Sequence, residues 1–278
     1  MVSIEVIGSQ LAGTLKRCSA DYIEARLEAS QSSHITYRGR ELESIGRTTA
    51  IGGNVRALVK GGWGFVSFNN LDELPGRVEL AAEQAKFASS GKSKLAQVGP
   101  VVDIMSAEID RNPVTMPLAE KKRLLDEYND IIWRTPKLQT STIGYGDSHK
   151  KVIFLSSSGS YIKQERADIT LRLNAVAAEG SEVQQVGLSL GSTGDFSSIQ
   201  GLHQQVERMA KHAVELLSAP QIKGGEYTVV LDPVLAGVFV HEAFGHLSES
   251  DFVYENERLH KIMALGRKFG STELNIVD

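Results

Sequence analysis

Apolar and polar side chains alternate with a period of two along several stretches of the chain, a pattern typical of half-buried strands. The first such stretch is Tyr22–Ala29, and the longest runs over Asp168–Ala177. Gly52 and Gly53, and later the segment Gly144–Asp147, interrupt the pattern and are interpreted as turns. Because short connections of this kind join antiparallel neighbours, the pattern predicts antiparallel strand meanders.

Apolar residues with helical spacing separate these strand-like stretches. They predict four helices before Pro220, over Ser9–Ser19, Asn70–Phe87, Pro117–Arg134 and Gly201–Leu217. In the third of these helices, Leu125, Tyr128 and Ile132 belong to an apolar stripe, and Lys121–Arg123 are interpreted as the solvated face. Helices that pack on antiparallel strands predict an α+β fold class.

Changes in composition divide the chain into units. We predict an N-terminal α+β domain over residues 1–90, a linker over 91–116, a central α+β domain over 117–222 and the start of a third domain over 223–278. Ala88–Pro100 is small, polar and aperiodic, as linkers are, and Gly224–Gly225 is interpreted as a second hinge. Tyr227–Leu231 is a predicted strand. Few apolar residues follow the third domain's first helix, so we expect the chain to end within that domain.

Composition and charge narrow the class of protein. The 278 residues carry 30 Lys and Arg against 34 Asp and Glu, a formal net charge of −4. This balance gives no general attraction to nucleic-acid phosphates, and no apolar run approaches the roughly 20 residues of a membrane span. Cys18 is the only cysteine, which excludes an intramolecular disulfide. Since the N-terminus has no secretory signal pattern, we expect a cytoplasmic protein that binds neither nucleic acid nor membrane directly.

One predicted helix carries residues with metal-site chemistry. Asp232 and Pro233 form a strong helix start, as N-cap and first-turn residue, and the apolar helix Val234–Leu247 follows. Within it, His241 and His246 are five positions apart, which separates them by about 140° on a regular α-helix. A single π turn would return both imidazoles to one face. A metal site here therefore predicts a π turn between the two histidines.

In this interpretation His241 and His246 bind Zn²⁺, and Glu242 is the general base toward a metal-activated water. The alternative, two histidines with a structural role, stays open, although burying them unpaired would cost free energy. Glu249 and Asp251 follow immediately. Either carboxylate suits the role of accepting a hydrogen bond from the ring N–H of a ligating histidine, which orients the imidazole. A solvated loop is the equally open alternative for both. No residue further along has a spacing that identifies it as a third ligand.

The same residues resemble a known family. His241–His246, with Glu249–Phe252 just after it, is similar to the HExxxH signature of the TldD side of the TldD/PmbA metallopeptidase family. The similarity extends upstream through Tyr22–Arg26, Gly62–Phe65 and Ser157–Gly159. It therefore covers nearly the whole chain, in the family's order of N-terminal, central and C-terminal domains.

The resemblance implies a zinc-dependent peptidase that hydrolyses small or unfolded peptides. It assigns His241 and His246 as zinc ligands and Glu242 as the catalytic glutamate. It also implies a mainly β C-terminal domain that carries the metal-site helix. The family's third ligand is a cysteine of that domain, and no position of this sequence corresponds to it. The implied partner is a PmbA/TldE-type subunit that lacks the motif, in a heterodimer.

A second function class stays open, a non-catalytic scaffold or partner subunit of a TldD/PmbA-type complex. The intact histidine–glutamate–histidine pattern favours the peptidase, whereas the lack of a third ligand favours the scaffold. Modulation of DNA gyrase is an older function attached to the family's name. Direct contact with DNA conflicts with the net charge of −4 and with the lack of a Lys/Arg cluster with interleaved aromatic residues.

Overall fold

The computed structural model describes residues 4–89, 91, 93–107, 109 and 111–276. The chain divides into two compact units, Met1–Pro220 and Gln221–Asp278. The first unit contains a large sheet, and the second contains the histidine motif. Among the described residues, every helix is too short or too polar to cross a membrane.

In its described residues, the first unit combines a mostly antiparallel sheet with four α-helices. Its helices are α1 (Ile4–Arg17), α2 (Leu74–Phe87), α3 (Leu118–Trp133) and α4 (His203–Glu215). Its strands are β1 (Tyr22–Arg38), β2 (Glu41–Val59), β3 (Gly62–Phe68), β4 (Val102–Met105), β5 (Leu138–Ser156), β6 (Tyr161–Glu179) and β7 (Glu182–Thr193). Short 3₁₀ turns cover Pro113–Thr115, Phe196–Ile199 and Leu216–Ser218. These elements confirm the predicted α+β class.

The seven strands form one sheet in the order β3-β2-β1-β5-β6-β4, with β7 also paired to β6. β4 lies parallel to residues 161–164 of β6, and β7 lies antiparallel to residues 168–179 of the same strand. The β1–β5 ladder runs from Glu24 opposite Ser156 to Arg38 opposite Thr142 without a register shift. β1 is therefore one long strand that continues well past the predicted stretch Tyr22–Ala29.

The glycine-containing segments predicted as turns lie inside strands, so those two predictions are wrong. Gly52 and Gly53 belong to β2, and Gly144–Asp147 belongs to β5. None of the glycines in these segments has the positive φ of a tight turn. A Cβ atom at Gly52 would lie 2.6 Å from the carbonyl oxygen of Phe68 in β3. At Gly52, glycine therefore serves the close approach of a neighbouring backbone rather than a chain reversal.

All four helices cover the same face of the sheet. The inward residues of β1 keep the same parity from Ile23 to Tyr37, so one face stays on the helix side along the whole strand. α1 and α2 pack over β1, β2, β3 and one end of β5, and α3 and α4 pack over β5, β6 and β7. Two hydrophobic cores therefore lie side by side, and the exposed Gln31 of β1 marks the gap between them.

The segment predicted as a linker carries structure of its own. Residues 91–116 contain β4 and the 3₁₀ turn Pro113–Thr115, in which Pro113 and Val114 are buried. The predicted N-terminal and central domains also share one sheet within the first unit. Their division at residues 90 and 117 stays a prediction.

Lys121 was predicted to face solvent, but only 1% of it is exposed. Its ammonium group pairs with the Asp147 carboxylate of β5 and donates to Ser33 Oγ of β1 at 2.6 Å. The hydroxyl groups of Ser33 and Tyr145 also donate to Asp147. Burial lowers the pKa of Lys121, and the Asp147 carboxylate opposes that effect. The prediction is wrong because a buried counter-ion, distant in sequence, stabilises this lysine inside the fold.

The second unit is helical wherever it is regular. It contains α5 (Pro233–Val240), a π turn (His241–Gly245), a 3₁₀ turn (His246–Ser248), α6 (Ser250–Glu255) and α7 (Glu257–Ile262). The predicted strand Tyr227–Leu231 does not form, and the described residues of this unit contain no strand. A strand needs a ladder partner to satisfy its backbone groups. The mainly β character implied for this domain is therefore not found in its described part.

Replacing Lys121 should destabilise the first unit strongly. Lys121→Met leaves Asp147 buried without its counter-ion, which costs about 3–5 kcal/mol of unfolding free energy. Lys122→Met is the matched control, because the side chains of Lys122 and its partner Asp126 are 38% and 42% exposed. Such a surface pair contributes about 1 kcal/mol or less. Urea denaturation measures both variants, and equal losses would contradict the importance of the buried pair.

Gly64→Ala and Gly76→Ala should change stability in opposite directions. A Cβ atom at Gly64 of β3 would collide with Ala81 O of α2 and lie 2.6 Å from Ala85 N. We expect a loss of about 1–3 kcal/mol or more. At Gly76, no described residue beyond the local helix backbone comes within 4 Å of such an atom. Alanine should therefore stabilise α2 there by up to about 1 kcal/mol, and thermal unfolding midpoints that move in the same direction would contradict this packing.

Candidate metal centre

The helix that carries the histidine motif has a well-defined start. Asp232 Oδ1 accepts a hydrogen bond from Leu235 N–H at 2.8 Å, and its carbonyl accepts one from Ala236 N–H at 2.8 Å. Pro233 occupies the first turn of α5, where the lack of an N–H has no cost. The predicted N-cap and first-turn residue of this helix are thus confirmed.

Between the two histidines the helix widens into a π turn. His241–Gly245 is π-helical, and the N–H of His246 donates to the carbonyl of His241, five residues back. The wider turn brings the two imidazole ring centroids to 4.4 Å, with the ring planes at 67°. The structure thus confirms the backbone irregularity that a shared metal ion requires of this spacing.

The π turn gathers three potential ligands. In the part of the chain that the structure describes, His241, Glu242 and His246 each offer one donor atom, and these atoms lie within 4.8 Å of one another. Glu242 Oε2 is 3.8 Å from His246 Nε2. Zinc lies about 2.0–2.1 Å from its imidazole nitrogens, so small side-chain rotations would let both histidines bind one ion. Imidazole and carboxylate donors are zinc ligands, and the residues present therefore fit zinc.

A second carboxylate, that of Glu249, contacts the imidazole ring of His246. His246 Nδ1 and Glu249 Oε1 are 2.6 Å apart. This hydrogen bond to the Glu249 carboxylate raises the pKa of His246, and the charge of Glu242 adds to the effect. Asp251, for which the sequence left the same place and a solvated loop equally open, accepts a hydrogen bond from Phe252 N–H at 2.9 Å. The structure therefore brings Glu249 to the imidazole and places Asp251 at the start of α6.

A groove of about 700 Å³ lies beside the cluster. His241, Val240 and Phe244 line it from the helix, and Leu274 and Ile276 line it from the end of the described chain. Sequence analysis missed the contribution of Leu274 and Ile276. Neither belongs to a periodic pattern near the motif, so only the folded chain reveals that they lie next to it.

The α+β fold and the histidine–glutamate–histidine cluster together define a candidate metallohydrolase. Models of the three family domains, described as PmbA/TldA metallopeptidase domain 1, central domain and C-terminal domain, match residues 23–89, 111–219 and 224–278. The chain belongs to the PmbA/TldD metallopeptidase family.

Curated relatives carry related names. A metalloprotease of Synechocystis sp. is 38% identical over 280 residues, which cover 100% of this chain and 60% of that protein. The zinc metalloprotease TldD homolog of Saccharolobus solfataricus is 32% identical over 146 residues, which cover 51% of this chain and 32% of that protein. The chain thus spans 60% of the length of the Synechocystis relative that it matches throughout.

Two crystal structures share the fold. One, from Bacteroides thetaiotaomicron and described as a modulator of DNA gyrase, has a TM-score of 0.73 and 15% identity, and covers 92% of this chain and 60% of that one. TldE from Thermococcus kodakarensis has a TM-score of 0.59 and 14% identity, and covers 78% of this chain and 47% of that one. At such low identity these likenesses support the α+β architecture alone.

In the metal-free protein, the pKa of His246 should lie above the ordinary value of a histidine. Glu249→Gln should lower it, because the variant lacks the carboxylate charge that favours the imidazolium form. A raised pKa means that protons compete with a metal ion up to a higher pH, so metal affinity should fall as the pH decreases through it. NMR titration of the ring measures the shift. Asp251→Asn is the control, and a pKa that responds to both substitutions alike would contradict the assignment to Glu249.

Proposed function

We propose that this chain carries the metal-binding part of a cytoplasmic zinc peptidase that hydrolyses small or unfolded peptides. In this proposal His241 and His246 bind the zinc ion, and Glu242 is the general base. One observation carries the proposal, namely the π turn that gathers these three side chains. Membership of a metallopeptidase family and the name of the Saccharolobus relative support it.

The zinc ion and Glu242 have different roles in the proposed reaction. When bound, zinc polarises a carbonyl group and lowers the pKa of water. Glu242, whose Oε2 is 3.8 Å from His246 Nε2, accepts a proton from the attacking water as the water oxygen bonds to the peptide carbonyl carbon. The same carboxyl group then gives this proton to the leaving nitrogen as the C–N bond breaks, which returns Glu242 to its charged form.

The groove beside His241 supports peptide substrates. Its volume of about 700 Å³ and its apolar lining by Val240, Phe244, Leu274 and Ile276 suit the side chains of a short extended segment. Apolar clefts with a few polar groups are the usual form of a ligand site. Extended segments of a folded protein are already paired within sheets, and we therefore propose small or unfolded peptides as substrates.

We also propose a PmbA/TldE-type partner subunit and a heterodimer, as the family resemblance implies. TldE of Thermococcus kodakarensis shares the fold of this chain, so the two subunits of such a pair would have a common fold. Co-purification of this protein with the PmbA/TldE-type protein of the same cell tests the pairing.

Replacement of Glu242 should remove cleavage alone, whereas replacement of His241 should remove both zinc binding and cleavage. In the protein co-expressed with its PmbA/TldE-type partner, Glu242→Gln should lower kcat for peptide cleavage by about 10²–10⁴-fold, because proton transfer is lost. It should keep its zinc. His241→Ala should lose both zinc and cleavage, because a ligand is missing. Elemental analysis measures the zinc content, and mass spectrometry of an unstructured peptide measures cleavage.

Two exposed residues of the same unit are matched controls. His260→Ala in α7 and Glu255→Gln in α6 remove the same side-chain types outside the cluster, so zinc content and cleavage should not change. Unchanged turnover in Glu242→Gln would exclude Glu242 as the base. A wild-type complex that binds no zinc would favour the alternative, a non-catalytic scaffold or partner subunit.

A further inference from the structure

The short turn after the π turn places one carboxylate behind the ring of His246. His246–Ser248 is a 3₁₀ turn. With three residues per turn, positions i and i+3 of such a turn eclipse each other. Glu249 is at position i+3 from His246, and its Oε1 lies 2.6 Å from the ring Nδ1. This distance is that of a short, charge-assisted hydrogen bond.

The backbone holds Glu249 in this position from both sides. Its N–H donates to the carbonyl of His246 at 3.3 Å, which closes the 3₁₀ turn. Its own carbonyl accepts a hydrogen bond from Val253 N–H at 3.0 Å at the start of α6. Ser248 Oγ also donates to the carbonyl of Gly245 at 2.8 Å. These hydrogen bonds therefore fix the backbone from which the Glu249 side chain reaches the ring of His246.

The two nitrogens of His246 face different carboxylates. Nδ1 faces Glu249, whereas Nε2 lies 3.8 Å from Glu242, on the side of the ligand cluster. A neutral imidazole has one N–H and one lone pair. When Nδ1–H donates to Glu249, the lone pair is on Nε2, the nitrogen that a metal ion in the cluster needs.

We propose that Glu249 is a positioning residue, which accepts a hydrogen bond from Nδ1–H of His246 and so keeps the Nε2 lone pair available to the metal ion. This inference rests on the proposed zinc function and deepens it. It also separates two carboxylates that the sequence left equivalent. Asp251 lies beyond the 3₁₀ turn and binds Phe252 N–H within α6, so it has no such effect on His246.

Zinc titration of the whole chain tests the proposal, with zinc chloride as the only ligand. Glu249→Ala should raise the Kd for zinc by about 10–100-fold, as the loss of a carboxylate behind a ligating histidine does. Glu249→Gln should lose less zinc affinity, since its amide oxygen still accepts a hydrogen bond from Nδ1–H. Asp251→Ala is the matched control and should bind zinc as the wild type does. Circular dichroism checks that each variant keeps its helices.

The tautomer of His246 gives a second readout that does not need metal. Nitrogen chemical shifts of the ring in the metal-free protein should show Nδ1–H in the wild type and in Glu249→Gln. In Glu249→Ala the ring should become a mixture of both tautomers. A wild-type ring with its proton on Nε2 would overturn the proposal without reference to any variant.

Further outcomes separate this inference from the proposed function. Unchanged zinc affinity in Glu249→Ala would overturn the positioning role. Equal losses in Glu249→Ala and Glu249→Gln, as large as that in His246→Ala, would overturn it in favour of direct coordination by Glu249. A wild type that binds no zinc, but whose tautomer depends on Glu249, would contradict the zinc function and leave the orienting contact established.

Discussion

The uninterrupted ladder between β1 and β5 is the constraint on which the first unit depends. Because its register does not shift, one face of both strands stays on the helix side from end to end, and all four helices pack on that face. The ladder also places Ser33 opposite Asp147, where Lys121 of α3 reaches both. A single continuous pairing therefore determines the shared core face and the attachment of α3 to the sheet.

The candidate metal centre of the second unit depends on helix pitch instead of long-range pairing. α5 is a regular helix, the π turn has more residues per turn, and the 3₁₀ turn has fewer. The first change brings His241 and His246 together, and the second brings Glu249 behind His246. Two successive changes of pitch thus give each nitrogen of His246 a different neighbour.

Local periodicity predicts the parts of this molecule whose partners are near in sequence. Leu125, Tyr128 and Ile132 are buried in α3 as their spacing predicts, and the π turn follows from the angle between the two histidines. Lys121 is different, because its counter-ion Asp147 lies on another element and nothing in the sequence around the lysine indicates burial. Glycines in a strand with a close neighbour look the same in sequence as glycines in a turn. Spacing alone also does not show which carboxylate, that of Glu249 or that of Asp251, contacts His246. This depends on the 3₁₀ turn that follows the motif.

The five-residue spacing differs by a single residue from the spacing that a regular helix accommodates. Loss of one residue between the histidines, Ala243 for instance, would produce the His-Glu-x-x-His arrangement, which an undistorted helix already presents on one side. The π turn is thus equivalent to a one-residue insertion that the helix absorbs while its imidazoles stay together. A chain without that residue would hold the two imidazoles on one side of the helix with no change of pitch between them.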